Sequence, residues 1–117
     1  MVWFDNLPEA LDLAKTEKKP VFIEFTGYTC TNCRWMETNV FKDPKVQKLF
    51  NEFVMLRLYT DGGNNYRENQ KMEISRFGTA ALPFYVVLSP NDEEISRFPG
   101  MNTDVNKFID FLKKSLN

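Results

Sequence analysis

The chain has 117 residues, 43% of them apolar and 15% aromatic with eleven phenylalanines, which suits a single packed domain over 1–117 and argues against disorder. Its net charge of −1 comes from interspersed acidic and basic residues, so there is no basic stripe for nucleic acid and no polybasic patch for a membrane surface. Two cysteines and no histidine exclude Cys–His and Ser–His–Asp catalysis and leave too few ligands for a structural zinc, unless two chains share one.

Met1–Asp5 has neither the basic region nor the apolar stretch of a signal peptide, which fits a cytosolic protein or a mature or excised portion of an exported one. A short extra strand falls at Val2–Phe4. Leu7, Ala10, Leu11 and Ala14 recur at helical spacing, with Asn6 as N-cap, Pro8 in the first turn and Lys15, Lys18 and Lys19 at the basic end. Val21–Phe25 is apolar on both faces except at Glu24, the pattern of a central strand covered on each side. After Cys30-Thr31-Asn32-Cys33 comes a helix-like segment, Arg34–Phe41, and Cys33, Met36 and Val40 share a helical face. Asp43-Pro44 interrupts it. Asp43 caps a new segment with Val46, Leu49, Phe50 and Phe53 as its buried stripe.

Val54–Tyr59 reads as a second buried strand, and Asp61–Asn65 as a turn-rich loop into a helix at Tyr66–Phe77. Pro83–Leu88 is a third strand with proline at its first position, and Ser89–Glu93 turns into a short strand at Glu94–Phe98. Thr103 or Asp104 caps a last helix buried through Val105, Phe108, Ile109 and Leu112. The order α-β-α-β-α-β-β-α, with no repeat or linker, predicts an α/β sandwich with a mixed central sheet. No apolar run is long enough to span a bilayer.

Cys30 and Cys33 directly follow a strand and open a helix. The free N–H groups and positive end of that helix stabilise a thiolate on Cys30. The i, i+3 spacing holds the Cys33 sulfur on the same side, within reach of a small disulfide. Such a short loop restrains little of the unfolded chain, so the pair reads as redox-active and not structural. It needs no bound cofactor, because the dithiol itself carries two electrons. Glu24, a lone carboxylate in an apolar strand, should hold its proton tightly and suit the role of acceptor for the Cys33 proton. The competing reading points it to solvent at a sheet edge. Trp3, Trp35 and the phenylalanines read as core, and Tyr28 as a rim residue near Cys30.

The element order and four placed residues resemble the thioredoxin superfamily over essentially the whole chain. Cys30 and Cys33 match its redox pair, Glu24 its buried acidic residue, and Pro83 the proline that takes the cis form and faces the cysteines. The stretches Phe25–Glu37 and Val40–Val46 are most similar to the C-terminal domain of DsbD-type thiol:disulfide interchange proteins, where Glu37 matches a second acidic residue. The resemblance implies a thioredoxin-like three-layer sandwich, its mixed β-sheet flanked by helices. It also implies a thiol:disulfide oxidoreductase acting as a reductant or electron relay.

In that scheme Cys30 is the exposed nucleophile, Cys33 the buried resolving thiol, and Glu24, Glu37 and Pro83 complete the catalytic set. Tyr28, Thr31, Asn32 and Leu82 are the expected partner-binding residues. Implied partners are protein disulfides or redox domains, with a membrane-embedded electron donor in the same or another chain. The implied location is periplasmic or otherwise exported, with the cytoplasm as alternative; the expected state is a monomer that binds no nucleic acid. Two departures stand out: Thr29 replaces the aromatic usual before the first cysteine, and Leu82 precedes Pro83. A non-catalytic docking or redox-sensing module is the competing class, which would have no chemical need for Glu24.

Overall fold

The computed structural model, which describes all of Met1–Asn117, is organised around the strand that leads to the cysteines. In chain order the elements are β1 (Trp3–Phe4), α1 (Leu7–Glu17), β2 (Val21–Thr26), α2 (Thr31–Asn39), α3 (Pro44–Phe50), β3 (Val54–Tyr59), α4 (Tyr66–Phe77), β4 (Phe84–Leu88), β5 (Glu94–Pro99) and α5 (Val105–Lys114). The sheet runs β1-β3-β2-β4-β5. β1, β3 and β2 pair in parallel, while β4 is antiparallel to β2 and β5 to β4. β2 lies at the centre with every residue buried, which is why its apolar run is continuous and not alternating.

Period-two alternation splits the strands between two cores. On one face Phe22, Met55, Tyr85 and Val87 pack under Met36 of α2, Val46 and Phe50 of α3, and Phe108 and Leu112 of α5. On the other, Ile23, Phe25, Leu56, Leu58, Phe84 and Val86 meet Ala10 and Ala14 of α1 and Phe77 of α4. Phe22 is the hub of the first core, with ring centroids 5.1 Å from Phe50 and 5.7 Å from Tyr85. The expected layered α/β sandwich with a mixed sheet is what forms.

Caps account for most helix starts. Asn6 accepts the Glu9 N–H and Asp43 those of Lys45 and Val46, each with proline in the first turn; Asp104, not Thr103, caps α5. The expected segment Arg34–Phe41 differs: α2 begins at Thr31, because Cys30 is its N-cap, and ends at Asn39. The Met36 carbonyl then accepts the N–H groups of both Val40 and Phe41, which closes the helix. α3 stops at Phe50, although Phe53 is still buried in the turn before β3. No helix is long and apolar enough to cross a membrane.

Candidate active site

β2 delivers the chain through Gly27–Thr29 to Cys30, which has extended backbone torsions and caps α2 with its own sulfur. Cys30 Sγ accepts the Cys33 N–H at 3.1 Å. The two cysteines form a disulfide with their Cα atoms 5.2 Å apart. Cys30 is half-buried and Cys33 fully buried, the asymmetry expected of an attacking and a resolving thiol. Thr31 and Asn32 are exposed on the first turn of α2.

The approach to Cys30 is held from the loop that follows β3. Asp61 accepts the Tyr28 N–H at 2.9 Å, and the Thr29 N–H and hydroxyl at 3.3 and 3.2 Å. These bonds, the Tyr28 one foremost, hold the Asp61 carboxyl below its ordinary pKa. Gly27 permits the approach: a Cβ there would lie 2.9 Å from Asp61 Oδ2 and 3.2 Å from Leu82 Cδ1. The same contact sets Leu82 against the redox loop. Pro83 is buried next to it, and the Leu82–Pro83 peptide is cis, as the resemblance implies. Tyr28 is exposed at the rim and stacks on Tyr59 with ring centroids 3.9 Å apart.

Glu24 is fully buried on the face covered by α2, which overturns the solvent-facing alternative. It is not a lone carboxylate. Arg57 Nε donates to Glu24 Oε1 at 2.7 Å, and Glu37 lies within hydrogen-bonding reach. Burial first, and then the Glu37 contact, push Glu24 up to about 8 against the pull of Arg57. Glu24 Oε2, by contrast with Oε1, is buried without a hydrogen-bond donor. Glu37 is half-buried and accepts from Arg34 Nη2 at 3.0 Å, and the same nitrogen donates to Thr26 Oγ1 at 2.7 Å.

Three residues here went unnoticed in the sequence. Arg57 had a signal: it is the only charge in the strand Val54–Tyr59, as Glu24 is in its own strand. Tyr85 pairs directly across from Glu24, and its buried hydroxyl has no partner. Burial and then the charges of Glu24 and Glu37 hold that hydroxyl well above the ordinary tyrosine pKa. Asp61 had no signal beyond membership of a turn-rich loop. No cluster of three or more Cys, Asp or Glu side chains is placed to hold a metal ion.

A family model described as thioredoxin-like matches residues 2–90. The chain belongs to the thioredoxin-like family. The thiol:disulfide interchange protein DsbD of Campylobacter jejuni is 22% identical over 83 residues, which is 71% of this chain and 15% of that protein. DsbD of Vibrio vulnificus is 38% identical over 53 residues, 45% of this chain and 9% of that one. The matches thus span only a small part of these relatives. A thioredoxin from Thermus thermophilus superposes with a TM-score of 0.79 at 25% identity, covering 98% of this chain and 87% of the other. The oxidised DsbD C-terminal domain of Neisseria meningitidis gives 0.75 at 21% identity, covering 97% and 99%. The fold of this thioredoxin-like chain is therefore the three-layer sandwich of that family. With its Cys30–Cys33 disulfide, it is consistent with a thiol:disulfide oxidoreductase.

Proposed function

We propose that this chain is a protein-disulfide reductase and electron relay, and that it works in the periplasm or another exported compartment. One observation carries the reading: a half-exposed sulfur caps α2 above a fully buried second sulfur, with the Glu24 carboxyl buried on the sheet face beneath that helix. In the reduced protein, the Cys30 thiolate attacks a partner disulfide. A Cys30–partner S–S bond forms, the partner's own S–S bond breaks, and one partner thiol leaves after taking up a proton. Ionised Glu24 then accepts the Cys33 proton. The Cys33 thiolate attacks Cys30 Sγ, which releases the second partner thiol and leaves the Cys30–Cys33 disulfide. Two electrons have passed to the partner.

A donor dithiol, membrane-embedded by analogy with DsbD, would reduce the pair for the next turn. Leu82, Tyr28, Thr31 and Asn32 form the rim that a partner meets, and Glu37 and Pro83 complete the site. The test is dithiothreitol-driven reduction of insulin combined with trapping. Wild type should accelerate insulin precipitation, Cys33→Ser should accumulate a mixed disulfide, and Cys30→Ser should neither reduce nor trap. Normal turnover by Cys33→Ser, or trapping by Cys30→Ser, would reverse the assignment. A wild type without insulin reduction would favour the docking or sensing module.

A further inference from the structure

The loop Gly78–Pro83 joins α4 to β4, exposes Ala80 and Ala81, and lays Leu82 against Gly27 just ahead of the cysteines. Through Leu82 this loop borders the segment that leads into Cys30. Its two stems are Phe77, the last residue of α4, and Phe84, the first of β4. Neither stem is tied to the other by a backbone ladder. Both meet a single side chain that projects from β5.

Arg97 lies opposite Val86, on the sheet face that carries Phe84 and is covered by Phe77. Its Nη1 donates to the Phe77 carbonyl at 3.0 Å, at the C-terminal end of α4, where a cation also complements the helix dipole. The guanidinium carbon stands 5.8 Å from the Phe77 ring centroid and 5.4 Å from that of Phe84. Glu94 fixes the fork in this pose, accepting Nε at 2.7 Å and Nη2 at 2.8 Å. A second strap runs alongside, from Arg76 near the end of α4 to Asp92 in the hairpin turn, at 2.8 Å.

We propose that Arg97 is a positioning residue that staples both stems of the Gly78–Pro83 loop and so presets the surface on which a partner protein docks. Arg97 touches no reacting atom. It acts by fixing the loop before the partner arrives, so that less ordering is left for the encounter. A planar fork is needed for this. A lysine can pair with Glu94 or with the Phe77 carbonyl, but cannot hold both while stacking on two rings.

The inference rests on the disulfide-exchange reading above, and its test keeps the two apart. Arg97→Gln and Arg97→Lys are compared with wild type in hydrogen exchange of residues 79–82 and in steady-state reduction of a protein disulfide and of a small one. Exchange in the loop should quicken by about ten-fold in Arg97→Gln, with Arg97→Lys between the two and the β2 amides unchanged. KM for the protein disulfide should rise by about five- to ten-fold, with kcat and the small-disulfide rate within about two-fold. Loop exchange equal to wild type in both variants overturns the staple, whether or not the chain reduces anything. Equal losses with protein and small disulfides overturn it too, since they would place Arg97 in the chemistry. Loss of small-disulfide reactivity in wild type itself would fault the functional reading and leave the loop measurement standing.

Discussion

At Glu24 two opposed environments meet in one carboxyl group: burial and Glu37 favour its protonated form, and the Arg57 guanidinium favours its ionised form. The result is a proton affinity close to that of a thiol, so that in the proposed exchange a proton would pass from Cys33 to Glu24 at little cost in free energy. The acceptor is the ionised form, so the rate of partner release should climb with pH until it levels near 8. Glu24→Gln preserves shape and an acceptor oxygen for Arg57 but cannot take a proton. It should slow release by about a hundred-fold and erase the rising limb, while the first attack by Cys30 changes little. Stopped-flow tryptophan fluorescence on a trapped intermediate separates the steps. An unaltered pH limb in Glu24→Gln would remove Glu24 from the proton path.

Among the elements, α4 carries the clearest misfit. Glu73 is fully buried on the helix that packs Phe77 against the sheet, and neither of its oxygens has a partner. Burial pushes its carboxyl up to about 8 from an ordinary 4.5. Between those values the folded protein keeps a proton that the unfolded chain releases, so stability falls as pH rises and levels off above about 8. Below 4.5 both states are protonated and the pH-dependent part of the penalty vanishes. Glu73→Leu should therefore stabilise the fold by about 1–3 kcal/mol at neutral pH. The gain should be larger at pH 9 than at pH 5. Urea unfolding at the two values measures it, and a gap independent of pH would mean that Glu73 is not the source. Glu24 adds a slope of the same sign, so the Glu73→Leu protein should still lose some stability toward alkaline pH.

For the molecule as a whole, the balance between dithiol and disulfide follows from the charges around Cys30. Glu37, and Glu24 when ionised, disfavour a further negative charge on the reduced pair, and no histidine lies between the cysteines to offset them. The reduced form should be comparatively unstable and the protein an electron donor, with a potential nearer the roughly −270 mV of thioredoxin than the roughly −120 mV of the strongest oxidants. Equilibration with glutathione, read by alkylation shift, gives the value. A result near the oxidising end would make the chain an oxidase with the same cysteines.

Most of this architecture could be read along the chain because local pattern sets it. Val21–Phe25 announces a central strand, Asp43-Pro44 a helix start, and Cys30-x-x-Cys33 a redox pair. What stayed hidden depends on which strands become neighbours. Arg57 reaches Glu24 across 33 residues, and Tyr85 faces it only because β4 pairs antiparallel with β2. That the cysteines open α2 was legible from their place after a strand, but that the Cys30 sulfur itself caps the helix was not, because cysteine is not among the side chains favoured as N-caps.

The position of Trp3 has an optical consequence. Its indole lies 3.9 Å from the guanidinium carbon of Arg57, the same group that is hydrogen-bonded to Glu24. Excited indole responds to nearby charge, so a proton gained or lost at Glu24 changes the field at the fluorophore without any movement of the backbone. Trp35, on α2, packs against the first core and has no such cation over its ring. The chain therefore contains its own dye. In a Trp35→Phe protein, emission recorded against pH would trace the charge state of the buried acid.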